Sequence, residues 1–365
     1  MRAPPLIVRR ATVSVEYPFG TRVLNSTIES YRSSMEATHE PVMLQEVLEL
    51  ASNAFKNYSI HGSHRVFTVL DGTLGAGGHS LELARAYLQA SFFLCDRDEQ
   101  MVARARANFK ASGFNPDDAR FRWICSRSSQ LGQRLDSEFD NQEGGLDFAL
   151  LDLGISMLHL KEFDRGFSYD DESLDMRLDT ATEKGASHLL NELPEKELAD
   201  LIYRYGEERA SRKIAHRVVQ SRPIESARQL AEIIAKAIPG PRNRPHPARK
   251  TFQALRIAVN GELEEAEAAA RMLAQRLNPG GILAIITFHS LEDRLIKRCF
   301  AELCGAGGLH SRYDAPVEIP PDPEFEKALR KSLAPTPEEQ ERNPASRSAR
   351  LRAIRRKPSG EAGDE

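Results

Sequence analysis

Three aspartates at the ends of apolar runs, Asp71, Asp96 and Asp152, and the glycines Gly75, Gly77 and Gly78 are the residues that could do chemistry together. The run VFTVLD over 66–71 is β-branched and aromatic, as a buried strand would be, and it stops abruptly in GTLGAGG. The following HSLELARAYL spaces Leu81, Ala84, Tyr87 and Leu88 along one helical face. Strand, glycine turn and helix open a nucleotide-binding α/β unit. The glycines let the backbone approach a ligand, and the helix N-terminus offers free N–H groups. A glycine cluster alone is equally an ordinary tight turn, and Ser80 stands where a dinucleotide fingerprint wants its third small residue. The next run, SFFLCD, ends on Asp96 roughly twenty residues beyond the glycines, where a carboxylate can accept both ribose hydroxyls of an adenosine. Asp98 could share that role or serve as a turn residue. The two features together imply an adenosine cofactor.

Asp152 ends a third apolar run, Leu146 to Leu151. In a doubly wound sheet, ligands lie beyond the carboxyl ends of the strands near the switch in strand order. One of the three acids can bind the amino-acid part of a cofactor, one the ribose, and one can face the substrate. Methyl transfer from S-adenosylmethionine would suit such a site. The sulfonium is already activated, so the protein need only align the acceptor and desolvate it. An exocyclic base amine is a poor nucleophile because its lone pair is delocalised. A carboxylate such as Asp152, accepting its N–H bonds, would favour the attacking form. Methylation at a pyrimidine carbon would instead want a cysteine after a proline, and none of Cys95, Cys125, Cys299 or Cys304 follows one. The cysteines form no C-x-x-C pair and imply neither metal nor disulfide.

The elements that must hold these residues alternate. Pro41 opens a helix with Leu44, Val47, Leu48 and Ala51 on one face, residues 99–111 form another, and RFRWICS is a strand leading to Ser126, Ser128 and Ser129. Strands alternating with helices predict a parallel sheet covered on both faces, an α/β fold. From about 162 to 250 the pattern holds loops and helices but no convincing strand. Pro194 opens one helix, residues 207–221 a second, and Ser226 with Gln229 forms a capping box for a third. The sheet then resumes with a long helix over 251–277, an NPGG turn and the buried strand ILAIITF. The predicted organisation is therefore an N-terminal segment 1–37, a sheet domain in two pieces (38–161 and 251–308), an inserted helical domain 162–250, a Pro/Glu-rich linker 309–342 and a basic tail 343–365.

A chain of 365 residues with net charge -3 is not basic on average, so nucleic-acid binding would need clustered cations. Three clusters are present: Arg209, Arg212, Lys213 and Arg217; Arg242 to Lys250; and Arg347 to Lys357. Around a cofactor site they favour a nucleic-acid substrate over solvated faces. No stretch approaches membrane-spanning length, so no membrane partner is expected, and nothing in the sequence specifies an oligomeric state. The first segment carries Arg2, Arg9, Arg10, Arg22 and Arg32 with many Ser and Thr. That composition suits a mitochondrial transit peptide, but a tail or an early start codon ahead of Met35 is favoured, which makes the cytoplasm the expected location.

Motif strings running in order from His39 to about Arg356 carry a resemblance: HEPVML, DGTLGAGGHS, DRD, LLDLGIS, RGFSY with LDMRLD, YGEERASRKIA, HPARKTFQALRIAVNGELEE, PGG, FHSLEDRLIKR and NPASRSARLR. The chain resembles the bacterial-type small-subunit ribosomal RNA cytosine-N4 methyltransferases. The resemblance implies a class I methyltransferase fold with a helical insertion and S-adenosylmethionine as donor. It also implies methylation of a cytidine N4 in the decoding region of 16S-type rRNA within the ribosomal subunit. It further implies cofactor contacts at Gly77, Gly78, His79, Asp96, Ser128, Asp152 and His159. At Ser128 the family often has an aromatic residue, and at His159 it has glutamine, within Ser-Ser-x-Gln-Leu-Asp where this chain reads SMLHLK. Ser156, Arg177, His289 and Arg294 are candidates for the substrate side by motif position. An assembly factor that binds RNA and cofactor without methylating is the alternative.

Overall fold

The computed structural model describes residues 40–61, 65–139, 144–155, 164–179, 183–239, 246–305 and 323–358. Ser156, His159 and the segment 1–37 lie outside them. Seven strands form one sheet in the order β3-β2-β1-β4-β5-β7-β6. They are β1 (Thr68–Asp71), β2 (Ser91–Asp96), β3 (Phe121–Cys125), β4 (Leu146–Asp152), β5 (Leu277–Thr287), β6 (Phe325–Lys327) and β7 (Arg350–Arg356). All neighbours from β3 to β5 are parallel, and β7 alone runs against the rest. The order reverses between β1 and β4, so the crevice there is the switch point at which such sheets bind ligands. A doubly wound sheet of this order with one reversed strand is the class I methyltransferase arrangement.

Period-two alternation sends successive side chains to opposite faces. Val69, Phe148, Leu150, Ile282 and Ile286 pack with α1 (Leu44–His61), α2 (Gly78–Ala86) and α3 (Glu99–Ala111). Leu70, Ala149, Leu151, Leu283 and Ile285 pack on the other face with α10 (Glu262–Gln275) and α11 (Ser290–Leu303). A short α4 (Gly132–Phe139) follows β3.

Five helices share a third core: α5 (Ala186–Glu192), α6 (Glu195–Gly206), α7 (Ser211–Gln220), α8 (Ala227–Ala237) and α9 (Arg249–Asn260). Leu198, Ile202, Ile214, Leu230, Ile234 and Leu255 are fully buried there. Ser226 caps α8, accepting the Gln229 N–H at 3.1 Å, but the expected box is half made, because the Gln229 side chain accepts the Glu225 N–H instead.

Several sequence expectations need correction. The helix expected over 251–277 is two, because Gly261 at φ 58 ends α9 and starts α10 in the left-handed conformation. The helix expected from 207 begins at Ser211, since Glu207 (φ 51) closes α6 in the same way. NPGG is not a turn between elements but part of β5. Gly281 is needed there because a Cβ would stand 2.7 Å from the Leu146 carbonyl of β4. Helix α2 stops at Ala86, which leaves Leu88 65% exposed rather than on its apolar face.

The linker expected over 309–342 holds β6 and a helix, α12 (Pro337–Arg342), capped by Thr336. Its Glu339 is buried and accepts the backbone N–H of Met43 at 2.7 Å, so a glutamate-rich run that reads as exposed is in part a structural anchor. The basic tail expected from 343 contributes β7. Its Leu351, Ala353 and Ile354 are buried, while Arg352, Arg355 and Arg356 pair with Asp293, Glu326 and Glu324. Those three arginines are neutralised locally, which removes them from the cluster read as a nucleic-acid surface.

Candidate active site

Asp71, Asp96 and Asp152 are the last residues of β1, β2 and β4 and so stand side by side at the switch point. Asp71 is 2% exposed, and its carboxylate accepts the Ser80 hydroxyl at 2.5 Å and the Thr73 N–H at 3.2 Å. The turn after it is tied to the neighbouring strand by Gly75, whose N–H donates to Asp96 Oδ2 at 2.8 Å. Gly77 (φ 83) caps α2, and a Cβ there would meet Ala105 and Phe109 of α3 at 3.2 Å. At Gly78 the obstacle is Pro41, 2.7 Å from where a Cβ would sit. These two glycines therefore let α2 lie tight against α3 and the segment before α1.

A cleft of about 780 Å³, open to solvent, runs along the strand tips. Gly72, Thr73, Asp96, Ser128 and Asp152 line one side, and Glu262 and Glu265 of α10 the other. The Ser128 hydroxyl donates to the Gly72 carbonyl, and Ser129 donates twice to the Glu265 carboxylate, at 2.8 and 2.7 Å. The first bond holds the loop after β3 to the turn after β1, and the other two hold it against the N-terminus of α10. Asp98 does not share the ribose position: it caps α3 through the Gln100 N–H and pairs with Arg165, 2.7 Å away.

The helical elements reach the cleft through polar hubs. Asn260, at the end of α9, accepts from Arg97 at 2.7 Å and from the Leu178 N–H at 2.9 Å, and it donates to the Met176 carbonyl. Glu207 accepts from Ser290 Oγ and from Arg294, both at 2.6 Å, joining the end of α6 to the start of α11. Arg294 is thus occupied with Glu207, and Arg177 with Asp175. His246, from the basic loop, stacks on Tyr169 with ring centroids 4.4 Å apart.

Asp152 is the site's most perturbed group. Its backbone N–H donates to Thr73 Oγ1 at 2.5 Å, while Oδ1 is shielded from water and has no hydrogen-bond partner. Burial pushes its carboxyl up to about 7, the nearby Glu292 adding to the rise and the Gly154 N–H opposing it. Burial likewise raises Asp71 to about 6, against the Ser80 bond and the neighbouring His79. His79 is buried, and desolvation lowers its proton affinity. Its Nε2 lies 2.9 Å from the Val42 carbonyl and its Nδ1 3.8 Å from Asp152 Oδ2.

Glu262, His289 and Glu292 bring one ligand-type atom each within 4.8 Å of one another. The histidine tautomer decides their use. Nδ1 of His289 accepts the Glu292 N–H at 3.3 Å in the cap of α11, so Nε2 carries the hydrogen; it lies 3.0 Å from Glu292 Oε1 but makes no hydrogen bond there. A ring nitrogen that carries a hydrogen does not ligate a metal, so in this tautomer the trio is a helix cap beside the Arg256–Glu262 ion pair.

Thr73, Arg97, Glu262, Glu265 and Glu292 also stand at this site, and none of them carries a signal of its own in the sequence. The three glutamates sit in the first turns of α10 and α11, where acidic residues read as ordinary helix-dipole partners.

The model of the MraW methylase family matches residues 36–357. The chain belongs to the MraW methylase family. The ribosomal RNA small subunit methyltransferase H of Gluconobacter oxydans is 42% identical over 322 residues, 87% of this chain and 92% of that protein. The enzyme of the same name from Paramagnetospirillum magneticum is 40% identical over 328 residues, 87% and 95% of the two chains. Among solved structures, an rRNA-methylase from Clostridium thermocellum overlaps at 11% identity with a TM-score of 0.36, covering 83% of this chain and 97% of that one. In a doubly wound sheet the switch-point cleft is where ligands bind.

Proposed function

We propose that this protein transfers the methyl group of S-adenosylmethionine to N4 of a cytidine in the decoding region of 16S-type rRNA, acting on the small ribosomal subunit. Membership of a methylase family and relatives named for small-subunit rRNA support the reaction class and the substrate. The observation that carries the chemistry is Asp152, a strand-tip carboxyl that lines the cleft with its side chain 22% exposed and its proton affinity raised.

The cleft fits the cofactor. Its walls carry Asp96 for the ribose and an excess of acids suited to a cationic ligand. When bound, S-adenosylmethionine supplies an activated methyl group. Asp96 and the Gly72–Gly75 turn would hold it, with Ser128 packed beside the adenine end. Gly77, Gly78 and His79 would act from the turn that shapes this wall. Asp152 would accept an N–H bond from the amine, which localises the nitrogen lone pair toward the methyl group.

The test is transfer from labelled S-adenosylmethionine to subunits lacking the modification, followed by nuclease digestion and mass identification of the nucleoside. N4-methylcytidine that disappears with Asp152→Ala is the expected result. A different methylated nucleoside, or transfer that survives Asp152→Ala, would sink the proposal.

A further inference from the structure

We propose that the ring of His246, stacked on Tyr169, is a platform for an unpaired rRNA base a few nucleotides away from the one that is methylated. This rests on the proposed rRNA substrate and adds a contact outside the cleft. The two ring centroids lie 4.4 Å apart with the planes 21° from parallel, while Phe252 meets Tyr169 edge-on at 4.9 Å. Tyr169 is half-buried against the helical core, whereas His246 is exposed. The stack therefore covers one face of the imidazole and leaves the rest of the residue to solvent. Nδ1 of His246 accepts the Ala248 N–H at 3.2 Å just before α9, which fixes the plane of the ring. A flat ring already held in place lets a nucleobase stack with little further loss of entropy.

The charge around the stack suits a phosphate backbone. Burial raises the proton affinity of the Tyr169 hydroxyl, and the exposed Arg249 stands close enough to oppose that rise. Lys250 adds a second cation, tethered through Nζ to the Glu207 carbonyl at 2.9 Å. Of the acids that follow Tyr169, Asp171 accepts the Gly166 and Ser168 N–H groups and Glu172 pairs with Arg228. Asp170 is left against the two cations, so the net charge beside the rings is positive. A stacking ring next to cations is how proteins hold single-stranded nucleic acid. A duplex has no open base face to offer, so the occupant is an unpaired stretch.

The platform is tied to the cleft through α9. That helix begins at Arg249 beside the stack and ends at Asn260, which holds the cleft residues Arg97 and Leu178. At 1.5 Å per residue it spans roughly 17 Å, about five stacked nucleotides at 3.4 Å each, and an extended strand covers that span with fewer. A base seated on His246 would thus set which nucleotide of the strand reaches the cleft.

His246→Ala and His246→Phe test this on subunits lacking the modification. The first removes the ring, and the second keeps a flat ring but loses the bond to Ala248. We expect His246→Ala to raise KM for subunits about ten-fold with kcat within about two-fold of wild type, and His246→Phe to stay within about three-fold in KM. Equal losses in both variants would assign the effect to the Ala248 bond, and no loss in either would mean that no base sits there. Each overturns the proposal.

A second readout separates a stacked base from a ring that only props Tyr169. A single-stranded RNA carrying 2-aminopurine loses fluorescence when that base stacks on an aromatic ring. Wild type and His246→Phe should quench it at saturation, and His246→Ala should not. No quenching by wild type, or equal quenching by all three, would overturn the platform. Arg249→Gln should lower the salt slope of subunit binding by about one, while His246→Ala leaves the slope unchanged. A lower slope in His246→Ala would make that residue a phosphate contact instead. If wild type makes no N4-methylcytidine, the proposed function fails. If it does and the His246 results are negative, only the platform fails.

Discussion

Arg165 and Asp98 form a buried ion pair, Nη1 to Oδ2 at 2.7 Å, with side chains 10% and 4% exposed. Asp98 also caps α3 through the Gln100 N–H, and Arg165 reaches the Gln100 side chain, so one pair ties the segment leading into the helices to the floor of the cleft. Removing the cation leaves a carboxylate buried without its partner, which costs about 3–5 kcal/mol. Arg165→Met should lower the denaturant midpoint accordingly, while Asp98→Asn in the same background should recover part of the loss. No recovery in the double variant would mean the pair is not what holds this segment.

Stability should depend on pH through the site's own acids. Asp71 and Asp152 have folded-state values raised to about 6 and about 7 by burial. The folded protein therefore holds protons that the unfolded chain releases. The stability these two groups contribute is fully present below the unfolded carboxylate value and is lost as pH rises through about 6 and 7. His79, lowered by burial, acts in the opposite sense and loses its contribution as pH falls. Asp152→Asn cannot ionise, so its melting temperature relative to wild type should rise between about pH 5 and about pH 8. Asp152 is 22% exposed, so the gain should stay below the roughly 4 kcal/mol that a full shift would allow. A difference that does not change with pH would mean Asp152 titrates like an ordinary surface acid.

Gly78→Ala tests the packing of the turn without touching any polar group. Gly78 has no left-handed φ, so the effect is steric alone: the new methyl must displace Pro41, 2.7 Å away. A loss of about 1–3 kcal/mol is expected, with weaker cofactor binding because α2 and the turn move together. Calorimetry with S-adenosylhomocysteine reads the second effect, and unchanged binding would separate the turn from the cofactor wall.

Deleting residues 343–365 should abolish folding rather than merely weaken RNA binding. It removes β7, which pairs with β5 from Ile282 to Thr287 and carries buried Leu351, Ala353 and Ile354. A soluble truncated protein with native circular dichroism would contradict this and return the segment to the role of a basic tail.

The cleft's three aspartates were legible because each ends a short continuous apolar run, the local mark of a strand buried on both faces. The strands before them, the capped helix α8 and the helical stretch without strands were readable for the same reason: local pattern and local energetics agree there. By contrast, β7 hides its alternation behind arginines whose partners, Asp293, Glu326 and Glu324, are distant in sequence and pair with them only in the folded chain. The break at Gly261 was illegible because a lone glycine is tolerated within helices, and its left-handed φ is seen only in the folded chain.

The sequence by itself determined the chemistry available: carboxylates at strand tips, a glycine turn, and motif strings specific enough to imply a family. Tertiary structure alone decided which acids meet. It assigned Asp98 to Arg165 and Arg294 to Glu207, brought Glu265 across to the loop after β3, and set His79 against Asp152. The reason is physical. Proton affinity and ion pairing depend on burial and on neighbours within a few ångströms, and those neighbours come from elements far apart along the chain.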